Sequence, residues 1–130
     1  MKFLLDTNAV IGIIAANQGL ISRLAEHLPS DFGVSSVVMY ELYWGAYKSK
    51  KVAENLARVD ALRFEVLDLS VEDAKAAGLI RADLYRKGTP IGAYDLLLAG
   101  QAVARSLTLI TNNVKEFRRV EHLQYEDWQT

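Results

Sequence analysis

The sequence has no cysteine, which excludes a disulfide framework and any thiolate metal centre and fits a reducing cytosol. It has no long hydrophobic run. The first apolar stretch, Phe3-Leu4-Leu5, is cut short by Asp6, too soon for a signal peptide, and no later stretch reaches membrane-spanning length. A cytoplasmic protein with no membrane association is the expectation. Neither charge is in excess: 15 Lys and Arg stand against 16 Asp and Glu, for a formal net charge of −1. A non-specific nucleic-acid coat would be basic, so any nucleic-acid contact has to come from local basic patches or from cations held by acids. Histidine is scarce, and His27 and His122 fall outside every motif below and read as structural or surface residues. Repeats, low-complexity segments and linkers are lacking too. A chain of 130 residues, half of them apolar, suits one domain, 1–130, burying about two-thirds of its unfolded surface.

What is present is an alternation of short apolar strands and helices. Phe3-Leu4-Leu5 is apolar at consecutive positions, as a strand buried on both faces of a parallel sheet is, and Asp6-Thr7-Asn8 marks its carboxyl end. Val10, Ile11, Ile13 and Ile14 predict a helix over 9–17 that Gly19 breaks, and Leu20, Ile21, Leu24 and Leu28 predict a second that stops at Pro29. Phe32-Gly33-Val34 reads as a strand, and Ser35 and Ser36 offer an N-cap for a helix over 37–49. Val52, Leu56, Val59 and Leu62 space a further helix, and 64–69 a third strand. Ser70 with Asp73 resembles a capping box opening a helix that stops at Gly88. After the turn-rich Thr89-Pro90-Ile91-Gly92 come an apolar helix over 93–106, a strand over 107–111, a helical turn at 114–117 and an edge strand over 125–128. The fold class is α/β: a short, mainly parallel sheet of about five strands flanked by helices on both faces.

Three acids have similar settings. Asp6 follows the first strand, Glu41 lies on the helix after the second, and Asp95 begins the helix before the fourth. Taken singly, Asp6 suits an N-cap, Glu41 an exposed helical position, and Asp95 a first turn favoured by the helix dipole. Together they sit at matching edges of one sheet, where ligands of open α/β sheets bind. Each is embedded in apolar sequence with no Lys or Arg in its immediate segment. Carboxylates that gather so need protons or cations, and Mg²⁺ or Mn²⁺ are the hard ions that oxygen ligands suit.

Four stretches match a known family. They are Leu4-Leu5-Asp6-Thr7-Asn8, Ser35-Ser36-Val37-Val38-Met39-Tyr40-Glu41-Leu42-Tyr43-Trp44-Gly45-Ala46, Gly88-Thr89-Pro90-Ile91-Gly92-Ala93-Tyr94-Asp95-Leu96-Leu97-Leu98-Ala99-Gly100, and Leu109-Ile110-Thr111-Asn112-Asn113-Val114-Lys115-Glu116-Phe117. In this order the chain resembles the PIN-domain ribonucleases, and among them the VapC toxins of bacterial type II toxin–antitoxin modules. The resemblance implies a PIN-like fold with a metal-dependent acidic pocket, and it carries Asp6, Glu41 and Asp95 over as the family's first three acids. Where the family often has a fourth acid, this chain has Asn113, with Glu116 three residues on. A second metal site is therefore weak, completed by Glu116, or formed only with RNA phosphates.

The implied reaction is hydrolysis of an RNA phosphodiester, transfer RNA being the preferred substrate, leaving a 5′-phosphate and a 3′-hydroxyl. Asp6 and Asp95 would ligate Mg²⁺ or Mn²⁺, with Glu41 a further ligand or acting through water. Thr7, Asn8 and Thr111 would orient ligands or waters. Lys48, Lys50, Lys51, Arg81, Arg86 and Lys87 are candidates to hold the rest of the RNA. The resemblance also implies a homodimer and a cognate VapB antitoxin, through which alone DNA would be contacted. Tyr40, Tyr43, Trp44 and Tyr47 would line the antitoxin groove or the dimer contact. Two other readings compete. A phosphatase with an aspartyl nucleophile at Asp6 would need a second Asp two residues on, where Asn8 stands. A catalytically weak PIN-like module binding RNA or protein is favoured by Asn113 and opposed by the three acids.

Overall fold

Three residues set the frame. Strand β1 (Phe3–Leu5) lies at the centre of the sheet, paired in parallel with β2 (Phe32–Ser35) on one side and β4 (Thr108–Ile110) on the other. β3 (Glu65–Leu67) and β5 (Tyr125–Glu126) complete an all-parallel sheet in the order β3-β2-β1-β4-β5. Successive strand residues point to opposite faces. Phe3, Leu4 and Leu5 are nevertheless all buried, so both faces of β1 are covered, as the unbroken apolar run predicts. The two edge strands are shorter than their sequence patterns suggest and are partly exposed, as edges are when nothing packs outside them. The computed structural model describes residues 1–129; Thr130, the last residue of the expected domain, lies outside them. No helix among these residues is long and apolar enough to cross a membrane.

Four of the helices start where polar side chains cap them. Asp6 caps α1 (Thr7–Ile14) by accepting the Ala9 N–H at 2.8 Å. Ser35 caps α3 (Ser36–Tyr47) through the Val37 N–H at 3.1 Å. The capping box of α5 (Val71–Lys87) is complete: Ser70 N–H donates to Asp73 at 2.9 Å, and Asp73 N–H to the Ser70 hydroxyl at 3.2 Å. At its far end Gly88 adopts φ 68°, a left-handed turn that glycine enters without cost, and Thr89 N–H closes on Leu84 O at 3.0 Å. One boundary differs from expectation. Gly19 lies inside α2 (Gln18–Leu24) rather than before it; the chain turns instead at Ala16 (φ 58°), and Asn17 caps α2 by accepting the Leu20 N–H. A 3₁₀ turn at Pro29–Asp31, unmarked by any apolar pattern, leads into β2. The remaining helices are α4 (Val52–Asp60), α6 (Ala93–Ala104) and the single turn α7 (Val114–Phe117).

Two contacts fix α6, the helix that carries Asp95. Gly100 lets it touch α5: a Cβ there would stand 2.5 Å from the Ala77 backbone nitrogen. At the other end Asp73, 1% exposed, receives the Arg105 guanidinium at 2.9 and 3.2 Å and the Gln101 amide at 3.3 Å. Burial pushes the Asp73 carboxyl up, but Arg105 and the two Ser70 bonds outweigh it and hold the group below the usual carboxylate range. On the opposite flank His27 stacks on Trp128 among Phe3 and Phe32, a packing role for a histidine that no motif claims, and this closes the C-terminal segment onto the sheet.

The α5–α6 contact gives a direct check. Gly100→Val puts a branched side chain where backbone stands. It is expected to cost about 1–3 kcal/mol and lower the melting temperature by about 4–10 °C in a thermal scan. A melting temperature equal to the parent's would show that the helices do not approach this closely.

Candidate active site

The strand order reverses at β1. The chain leaves β1 towards β2 and β3 and returns to β4 on the other flank, which makes the crevice beyond β1 and β4 the place where a ligand fits. Asp6 ends β1 there, and its N–H donates to Ile110 O of β4 at 3.1 Å. The hollow beside it, of about 160 Å³, is lined by Asp6, Thr7, Asn8, Glu41, Asp95, Leu98 and Asn113. Three acids from three separate segments thus face one space, each placed by a different element. Asp6 is held by its capping bond, Glu41 lies within α3, and Asp95 stands in the first turn of α6.

The smaller residues complete the arrangement. Thr7 Oγ1 donates to Glu41 Oε1 at 2.9 Å, tying α1 to α3 across the hollow. The Asn8 side-chain amide donates to the Asn112 side-chain oxygen Oδ1 at 3.4 Å. The Thr111 hydroxyl accepts the Asn113 N–H at 2.9 Å and also lies beside Asp6. Asn113 turns its amide nitrogen towards the neighbouring acids. Nδ2 donates to Glu116 at 2.7 Å and to Asp95 at 3.3 Å. Asn113 therefore bridges two carboxylates, Asp95 and Glu116.

Crowding shows in the titration of these groups. Asp95 is pushed up to about 7, first by burial, then by the hydrogen bond and charge of Glu116, then by Asp6 and Glu41. Glu116 lies below the usual carboxylate range because the Asn113 amide, Asp95 and the Gly92 N–H donate to it. Burial also raises Asp6, against the Thr111 hydroxyl and the Ala9 N–H, while Glu41 and Asp127 add repulsion. Among the described residues no three His, Asp or Glu side chains stand in array to hold a metal ion by themselves. The donors present are all oxygen. Mg²⁺ keeps several waters and takes one or two carboxylates, so a hollow of this kind suits it.

The predicted basic residues divide. Lys48, Lys50 and Lys51 follow the end of α3, with Lys51 3.8 Å from Glu54. Arg86 pairs with Asp83 at 3.0 Å and Lys87 with Glu121 at 2.7 Å; Arg81 lines an apolar hollow with Tyr85 and Pro90. Tyr43 is partly buried and donates to Asp60 at 2.6 Å, whereas Tyr40, Trp44 and Tyr47 are exposed. Sequence reading passed over Tyr94 and Asn112. Tyr94 and Asn112 directly adjoin Asp95 and Asn113, and Gly92 opens the helix that holds Asp95.

The raised Asp95 predicts a stability change of definite sign. In the unfolded chain its carboxyl ionises near pH 4, whereas in the fold it keeps its proton to about 7. Between these values the unfolded state binds fewer protons, so stability falls as pH rises, and the cost is complete above pH 7. The lowered Glu116 offsets part of it, and partial exposure screens the rest. In EDTA at pH 8, Asp95→Asn is expected to melt about 4 °C higher than the parent, on the order of 1 kcal/mol, with the gap closing towards pH 4. A variant less stable than the parent at pH 8 would contradict the repulsion.

Comparison with known proteins gives the same fold and places the chain in a family. Residues 3–123 match the PIN domain. Over 98% of both chains the sequence is 42% identical to the tRNA(fMet)-specific endonuclease VapC of Salmonella typhimurium and, over the same share, 37% identical to ribonuclease VapC2 of Rickettsia felis. A crystal structure of DNA-bound VapBC from Salmonella typhimurium superposes with a TM-score of 0.93 at 42% identity, covering 98% of each chain. With its parallel sheet, its acidic crevice and these relatives, the chain belongs to the PIN domain family and, within it, to the VapC ribonucleases.

Proposed function

We propose that the chain, acting as one PIN domain, is the toxin of a VapBC module and a Mg²⁺- or Mn²⁺-dependent endoribonuclease that cuts tRNA(fMet). The carrying observation is Asp95, pushed up to about 7 in a half-buried hollow shared with Asp6 and Glu41. A carboxylate so placed requires a proton or a cation, and a site for phosphate chemistry is where a divalent cation belongs. Asp6 and Asp95 would hold the ion, with Glu41 as a further ligand or acting through water. When bound, the ion supplies Lewis-acid polarisation and neutralises charge on the phosphate oxygens. The Thr7 hydroxyl keeps Glu41 turned into the hollow. The Asn113 amide and the Gly92 N–H keep Glu116 ionised beside Asp95, and through them Glu116 serves as the fourth acid. Water attacks the phosphodiester and leaves a 5′-phosphate and a 3′-hydroxyl, so no nucleophilic side chain is required.

Two relatives named for tRNA(fMet), at 42% and 39% identity, support the substrate. The VapBC structures that this chain resembles support a VapB antitoxin as partner and, through it, contact with DNA. Growth arrest lasts until the antitoxin binds, and the toxin acts in the cytoplasm as a homodimer.

Cleavage of tRNA(fMet) transcripts with Mg²⁺ tests this reading. The parent is expected to cut and to stop in EDTA, and Asp6→Asn and Asp95→Asn to lose on the order of 10²-fold or more in rate. Parent protein that binds the RNA tightly but never cuts it would identify a binding module instead.

A further inference from the structure

The surface beside the acidic hollow is aromatic. Tyr40 and Tyr94 directly precede Glu41 and Asp95. Their rings meet edge to face with centroids 5.6 Å apart, and the Tyr94 hydroxyl donates to that of Tyr40 at 3.4 Å. From Tyr40 the same face of α3 continues through Trp44 and Tyr47, four and seven residues on, or ~6 and ~10 Å further along the helix axis. All four are large and open to solvent, from 45% for Tyr94 to 64% for Tyr47. Lys48 sets its ammonium 3.7 Å from the centre of the Trp44 ring, and Lys50 and Lys51 follow at the end of the helix.

An uncovered stripe of this kind calls for an occupant. Its exposed members are flat aromatic rings, with no exposed aliphatic side chain between them on α3. A cation rides on one ring and more follow at the far end, while the near end opens on the acids. Exposed rings, one of them bearing a cation and with further cations beyond, suit a polymer of bases and phosphates. Resting on the ribonuclease reading, we infer that Tyr94, Tyr40, Trp44 and Tyr47, with Lys48, form a stacking track for the single-stranded RNA bases that flank the bond to be cut. The Tyr40–Tyr94 pair takes the base next to the acidic hollow. Trp44 takes a base further along, with Lys48 on the phosphate beside it. The track leads the strand away from the negative hollow towards Lys50 and Lys51, which is how a chain of net charge −1 holds a polyanion.

The test has a kinetic arm and a binding arm, both on full-length protein. In cleavage of a labelled single-stranded oligoribonucleotide with Mg²⁺, Trp44→Ala is expected to raise KM roughly tenfold with kcat within about twofold. Tyr40→Phe and Tyr94→Phe retain the rings and are expected to behave as the parent. Lys48→Glu is expected to flatten the salt dependence of binding by roughly 0.7 in log–log slope. The binding arm uses the same oligonucleotide with 2-aminopurine next to the cut, on an Asp95→Asn background. Its fluorescence is expected to be quenched by that protein and to stay bright when Tyr40→Ala or Tyr94→Ala is added. Because these side chains are exposed, all variants are expected to melt within a few degrees of the parent. Unchanged KM and quenching across the alanine variants would overturn the track. So would loss of self-association by Trp44→Ala in sedimentation velocity, which would make this face a contact between copies. A parent that cuts no RNA refutes the ribonuclease reading, whereas the quenching result decides the track independently.

Discussion

Carboxylates crowded into a half-buried hollow repel one another and resist ionisation, and the arrangement of this protein follows from holding them there anyway. None of the three acids is free to swing out to water. Asp6 is pinned by the Ala9 N–H that it caps. Glu41 is held by the Thr7 hydroxyl. Asp95 starts a helix whose position is set by close contact at Gly100 and by the buried Asp73–Arg105 pair near its other end. The stabilising interactions lie away from the hollow and the destabilising ones lie within it, a division expected where a scaffold imposes a strained site.

The two buried acids outside and inside the site make the contrast plain. Asp73 is almost wholly buried yet sits below the usual carboxylate range, because Arg105 and Ser70 satisfy it. Asp95 is less buried yet stands at about 7, first because burial penalises its charge and then because its neighbours are Glu116, Asp6 and Glu41. Burial raises both carboxyls; the sign of their neighbours decides whether that rise is reversed, as at Asp73, or reinforced, as at Asp95. A carboxylate buried with a guanidinium is a structural element. One buried among other carboxylates needs a proton or a cation, and the proposed divalent ion would also make the hollow receptive to phosphate.

Much of this was legible in the sequence. The run Phe3-Leu4-Leu5 ending in Asp6 gave a central buried strand with an acid at its carboxyl end, and the pairs Ser70/Asp73 and Lys87-Gly88 marked both ends of α5. Ser35 capped α3 as its residue type predicts. What escaped was decided by contacts across the fold. Gly19 looked like a helix breaker, but Asn17 supplied a cap two residues earlier. Asn113 showed only a missing charge in the sequence, and its role as an amide donor to both Glu116 and Asp95 appears only in the fold. The Asp73–Arg105 pair spans 32 residues and leaves no local signal. Tyr94 was overshadowed by the acid that follows it, although its position beside Asp95 was open to view.

The central claim is that these acids share one divalent ion, and calorimetric titration of the metal-free protein with Mn²⁺ in two buffers of different protonation enthalpy tests it most directly. Near pH 6.5 the account predicts binding that releases a substantial fraction of a proton, since Asp95 must ionise to receive the ion. It also predicts release falling towards zero by pH 8.5, and no saturable binding in Asp6→Asn or Asp95→Asn protein. Mn²⁺ binding that released no proton at pH 6.5, or that persisted at parent affinity in both variants, would contradict it.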